Sequence, residues 1–174
     1  PAVPDSNDFV SINGSGLDGR GEEPVDVIID ASANAVAQQL HIGDYDWDRP
    51  VSLTVDGGTL AVGEGDGCSG LTIGYGGQTV RTMNIHPGSS VTAAGNVMIG
   101  IWGSGTLHMQ GGTLEVAGTF VLNEVDEGTA VFTLDGGTAT VGNLVIKSGG
   151  VIHVGDGALI VNADYVSQIQ GWIS

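Results

Sequence analysis

Short alternations of apolar and polar residues recur along the chain at a nearly constant spacing. A strand–turn–strand phrase runs Leu-Thr-Val-Asp-Gly-Gly-Thr-Leu-Ala-Val from Leu53 to Val62, returns from Leu107 to Val116 and returns again from Phe132 to Val141. Weaker copies begin at Met83 and Ile152, so the first residues lie 30, 24, 25 and 20 apart. A second phrase keeps step with the first: Leu40-His-Ile-Gly, Leu71-Thr-Ile-Gly, Val97-Met-Ile-Gly, Phe120-Val-Leu-Asn and Leu144-Val-Ile-Lys. Alternation with a period of two marks a strand with one buried face. Two phrases that share one longer period mark a repeat architecture.

Each phrase reads in the same direction, so like residues fall side by side only if successive turns of the chain run parallel. A sandwich of hairpins would set them in mirrored order. The predicted fold is therefore all-β: a single-stranded parallel β-helix, or β-solenoid, with three faces and about six rungs. Its winding is right-handed, as parallel crossovers favour. The predicted inward columns are Leu53, Met83, Leu107, Phe132, Ile152 with Val55, Ile85, Met109, Leu134, Val154 on one face. Leu60, Val91, Leu114, Ala139 and Leu159 lead the second face, and Leu40, Leu71, Val97, Phe120 and Leu144 the third.

Rungs are expected over 27–163. Solenoids leave open sheet edges at both ends, which caps or partners must cover. Residues 164–174, with Tyr165, Ile169, Trp172 and Ile173, are expected to form a C-terminal cap. Residues 1–26 are expected to be a lead-in that either caps the first rung or reaches to a neighbouring molecule.

Glycine supplies 31 of 174 residues, far above the usual share of about 7%, and it gathers between the faces, where a sharp turn needs positive φ. Four Lys and Arg against 20 Asp and Glu leave a net charge of −16. Phosphate backbones are bound through clustered cations, so nucleic acid is excluded as a partner, and an anionic membrane surface is disfavoured. No apolar run approaches the ~20 residues of a membrane span, so no membrane insertion is expected. Cys68 is the lone cysteine and has no internal disulfide partner.

Chemistry is sparse. Arg20, Arg49, Arg81 and Lys147 fall on no common stacked face, which removes the cation that a polysaccharide lyase on such a fold needs. Asp56 and Asp135 hold equivalent turn positions but stand about three rungs, or ~14 Å, apart, too far for a hydrolase pair. His108 and His153 share an outward column about two rungs apart and read as solvated strand residues. No enzyme is expected, and no cofactor is required. Asp44-Tyr-Asp-Trp-Asp48 offers three carboxylates at alternate positions, so Asp44, Asp46 and Asp48 form either a solvated acidic corner or a weak calcium site, calcium taking six to eight oxygens. Glu124, Asp126 and Glu127 occupy the equivalent corner three rungs later, and Glu64 and Asp66 line another excursion. Tyr45, Trp47, Tyr75 and Trp102 fall on the first of these corners, where they either cover the turn or form a platform for sugar rings.

Gly105 to Asn123 follows the pattern Gly-Thr-Leu-x-x-x-Gly-Gly-Thr-Leu-x-Val-x-Gly-x-Leu-x-Ile-Gly nearly throughout. Together with the closing phrase Val166-Ser-Gln-Ile-Gln-Gly-Trp-Ile173, the run from Gly100 to Ser174 resembles the glycine-rich strand repeats of secreted PEP-CTERM sorting-signal proteins. Autotransporter-passenger repeats are similar. The sorting motif Pro-Glu-Pro of the former is not in these 174 residues. The resemblance implies export and an extracellular or cell-surface location. The expected function is a non-enzymatic structural rod that associates with itself, as a homo-oligomer or filament, in a sheath or matrix. The alternative is an adhesin or matrix lectin that binds polysaccharide at the aromatic corner.

Overall fold

A computed structural model describes residues 5–12, 24–43, 50–65, 70–76, 79–125 and 128–163. Among them are fourteen strands and no helix. In chain order these are β1 (Phe9–Ile12), β2 (Val25–Asp30), β3 (Asn34–Ala37), β4 (Gln39–Ile42), β5 (Val51–Asp56), β6 (Thr59–Val62), β7 (Leu71–Tyr75), β8 (Arg81–Ile85), β9 (Ser90–Ala93), β10 (Val97–Ile101), β11 (Gly105–Leu122), β12 (Ala130–Ile146), β13 (Gly150–Val154) and β14 (Ala158–Val161).

Every strand pair is parallel, and the pairs make three ladders. The first runs β2, β5, β8, β11, β12, β13. The second runs β3, β6, β9, β11, β12, β14. The third runs β1, β4, β7, β10, β11, β12. The long strands β11 and β12 bend through two corners and serve all three ladders. Their register shifts between Met109 and Gln110, Gln110 and Thr113, and Val116 and Thr119. This is a parallel β-solenoid.

The columns read from the repeat are the columns of the ladders. Leu53 pairs with Met83, Met83 with Leu107, Leu107 with Phe132 and Phe132 with Ile152, and Val27 extends the row at its start. The side chains on these inward columns form one continuous core, from Ile29 to Leu144. Phe120 and Phe132 meet inside it with ring centroids 5.1 Å apart. Of the lead-in at 1–26, Phe9–Ile12 is β1, paired with β4 within the chain, and the first ladder opens at Val25. Residues 13–23 and the expected cap at 164–174 lie outside the described residues.

Positive φ recurs where the third face ends, at Gly43, Gly74, Gly100 and Asn123. These are the last letters of the Leu-x-Ile-Gly phrases. Asparagine stands in for glycine at the fourth because it tolerates the left-handed region better than other side chains. One inward column holds a charge. Val25, Val51, Arg81, Gly105, Ala130 and Gly150 stand side by side, and Arg81 is fully buried. Its Nη1 donates to the Thr79 carbonyl, and its stem lies where a Cβ on Gly43 would come within 2.8 Å of Cγ. The small residues beside Arg81 leave the width that its side chain fills.

Candidate functional site

The corner that follows the third face was expected to carry the aromatic and acidic residues. Asp44, Tyr45, Asp46, Trp47 and Asp48 lie outside the described residues, as do Cys68, Asp66, Asp126 and Glu127. Tyr75 ends β7 and Trp102 follows β10, and an isolated antiparallel backbone bridge joins the two. Their side chains diverge in role. The half-buried Tyr75 ring stacks on His41 at 5.2 Å and 27°, and His41 meets the edge of Phe9 at 4.8 Å and 81°. Gln39 Nε2 lies 3.1 Å from His41 Nε2. An aromatic row Phe9–His41–Tyr75 thus crosses adjacent rungs, two of whose members the repeat pattern did not single out. Trp102 is 45% exposed and holds φ at 59°, a conformation that costs a bulky residue about 1–3 kcal/mol.

Two histidines on the outer faces stand beside carboxylates. His86 Nδ1 lies 3.1 Å from Asp56 Oδ1, and His108 Nε2 lies 2.7 Å from Asp135 Oδ2. Both imidazoles are half-buried, because a strand residue on an outer face is flanked by a rung on either side. The first pair was legible, since Asp56 and His86 follow the paired inward residues Val55 and Ile85. The second is diagonal. His108 stands beside Thr133 and reaches Asp135, two residues further along. At this exposure each pair is worth at most about 1 kcal/mol. Lys147 Nζ bonds Glu124 Oε1 at 2.8 Å and the Glu124 carbonyl at 2.9 Å. His153 is exposed and has no side-chain partner among the described residues. Among those residues no three His, Cys, Asp or Glu side chains converge on a common point.

At the first rung, Asp30 Oδ1 accepts hydrogen bonds from Ser32 Oγ at 2.6 Å and Ser32 N at 2.9 Å. The hydroxyl bond, then the backbone bond, holds the Asp30 carboxyl below the usual carboxylate range. Any stability this adds is present above the ordinary carboxylate pKa and is lost as pH falls through the lowered one.

The two ends of the solenoid form the other surface of note. Of the large exposed apolar side chains among the described residues, Phe9, Ile28 and Val36 lie at one end and Val151, Val154 and Ile160 at the other, with Val80 and Trp102 between them. Two outward columns are largely polar between the first and last of these rungs. Ile28 leads to Thr54, Asn84, His108, Thr133 and His153, and Ala61, Thr92, Glu115 and Thr140 stand between Val36 and Ile160. An apolar cavity of about 210 Å³ opens at the first rung between Val10, Ile12, Val27, Ile29, Ala35 and Leu40.

Neither a protein-family model, nor a curated protein, nor a solved structure matches the chain.

Proposed function

We propose that the chain is a non-enzymatic structural protein of the cell surface or extracellular matrix, a right-handed solenoid of six rungs that associates with itself through its ends. The product is a filament, sheath or matrix. The observation that carries this reading is the group of exposed apolar side chains on the first and last described rungs, Ile28 and Val36 on the one and Val151, Val154 and Ile160 on the other. An end strand presents a row of unpaired N–H and C=O groups that template a further strand. Apolar side chains beside that row add about 25 cal/mol per Å² removed from water. A wall meant for solvent would keep its threonines to the last rung.

With a charge of −16 per copy, copies repel at low ionic strength, and the Debye length falls to about 10 Å at 0.1 M salt. Sedimentation velocity over a wide range of protein concentration is expected to show species heavier than the monomer that increase with salt. Monomer alone at every concentration and salt would overturn the proposal.

A second reading, a carbohydrate-binding surface at the third corner, is favoured by the exposed Trp102 in its costly backbone conformation beside Tyr75. Polysaccharide titration would then quench tryptophan fluorescence in the parent protein and not after Trp102→Ala; binding unchanged by that substitution excludes Trp102 from the site.

A further inference from the structure

Where the second ladder turns toward the third, the outer wall of the solenoid is concave. A groove of about 500 Å³ runs there from Val36 on the first rung to Thr140 on the fifth. Its lining residues recur at one position on successive rungs, with Val36, Ala61, Thr92, Glu115 and Thr140 side by side. The groove therefore lies parallel to the solenoid axis, and four rung steps make it about 19 Å long. Ala61, Ala94, Glu115 and Ala117, on rungs away from either end, are exposed in it.

The floor of the groove is apolar, formed by alanine and valine side chains, and its polar groups are left to hydrogen-bond. The side chains of Gln38, Thr92, Glu115 and Thr140 have no hydrogen-bond or ion-pair partner among the described residues. The first face differs. There Ser52 bonds Asp26, Asn84 bonds Thr54, His86 stands against Asp56 and His108 against Asp135, each across adjacent rungs. A concavity of this size, largely apolar and holding a few polar groups, is the common form of a ligand site.

We propose that this groove binds one chain of a neutral polysaccharide, laid along the solenoid axis. An open trough that repeats with the rungs suits a polymer better than a compact molecule. Charge excludes a polyanion, because Glu115 is the one ionisable side chain among the described lining residues and the protein carries −16. Sheet geometry excludes an extended peptide. β6, β9 and β11 are each paired on both sides, so the floor offers no free backbone N–H or C=O, and the groups of a peptide would be buried unpaired. Sugar rings present C–H surface to an alanine and valine floor. Their hydroxyls both donate and accept, as do the amide of Gln38 and the hydroxyls of Thr92 and Thr140. The groove needs one copy only, and it is separate from the corner that carries Trp102.

Native affinity electrophoresis through gels containing a neutral β-glucan, arabinoxylan or galactomannan tests this. All proteins carry Trp102→Ala, so that sugar held at that corner is not counted. The expected result is retardation by at least one of the polymers. Ala117→Trp sets a ring into the groove from an exposed position and is expected to abolish the retardation with thermal unfolding unchanged. Thr92→Ala combined with Thr140→Ala removes two hydrogen-bonding groups without adding bulk and is expected to weaken binding about tenfold. No retardation by any neutral polymer overturns the proposal. Retardation that survives both groove variants places the sugar elsewhere and overturns the groove as its site. Retention by chitosan alone, at salt high enough to screen the net charge and lost in Glu115→Gln, puts a cationic chain in the groove and overturns the neutral class. Sedimentation reads self-association separately, so either reading can fail without the other.

Discussion

Gly74→Ala is expected to lower the free energy of unfolding by about 3–4 kcal/mol. Two costs combine. Gly74 holds φ at 82°, where an L side chain loses about 1–2 kcal/mol. A Cβ there would also stand 2.6 Å from the Ser104 carbonyl of the neighbouring rung, and relieving such an overlap in packed surroundings costs about 1–3 kcal/mol more. Gly88→Ala separates the two. Gly88 has a similar φ of 84°, but a Cβ on it would meet nothing nearer than 3.9 Å, so it is expected to cost about 1 kcal/mol. Urea unfolding of both variants measures the difference. Equal losses would show that the approach of the rungs at Gly74 is not limiting.

Arg81→Ala is expected to cost about 4 kcal/mol, comparable with emptying a large apolar site in the core. The fully buried side chain fills the space left by Gly43 on one side and Gly105 in its own column. Arg81→Met keeps the stem but leaves the Thr79 carbonyl without the guanidinium donor, and is expected to remain about 2 kcal/mol below the parent protein. Thermal unfolding of the two variants separates packing from hydrogen bonding. A methionine protein as stable as the parent would assign the whole contribution of Arg81 to its stem.

These sites differ in how far the amino-acid pattern reveals them. Gly74 was legible in both place and kind, because it closes a phrase whose other copies end Gly43, Gly100 and Asn123, and a turn that needs positive φ selects those residue types. Arg81 was legible only in place. Counting two positions back from Met83 puts it on the inward column, but its charge argues for the surface. The small neighbours that make room for it are separated from it by more than twenty residues on one side and nearly forty on the other. His86 and Asp56 could be found by aligning turns, whereas His108 and Asp135 lie on a diagonal that only side-chain direction closes. His41 looked like any outward strand residue until Phe9 and Tyr75 were placed on either side of it.

By itself the sequence determined that strands stack in parallel and which residues share a column, since a period of two selects the buried face and a long period in one direction sets the register. The tertiary structure decided what that register brings within reach across rungs: the buried Arg81 among glycines, the diagonal His108–Asp135 pair, and the β1 strand that projects beyond the first rung. The physical reason is that periodicity is a property of neighbours along the chain. A diagonal contact or an end surface depends on side-chain direction and on where each ladder stops, and neither repeats from rung to rung.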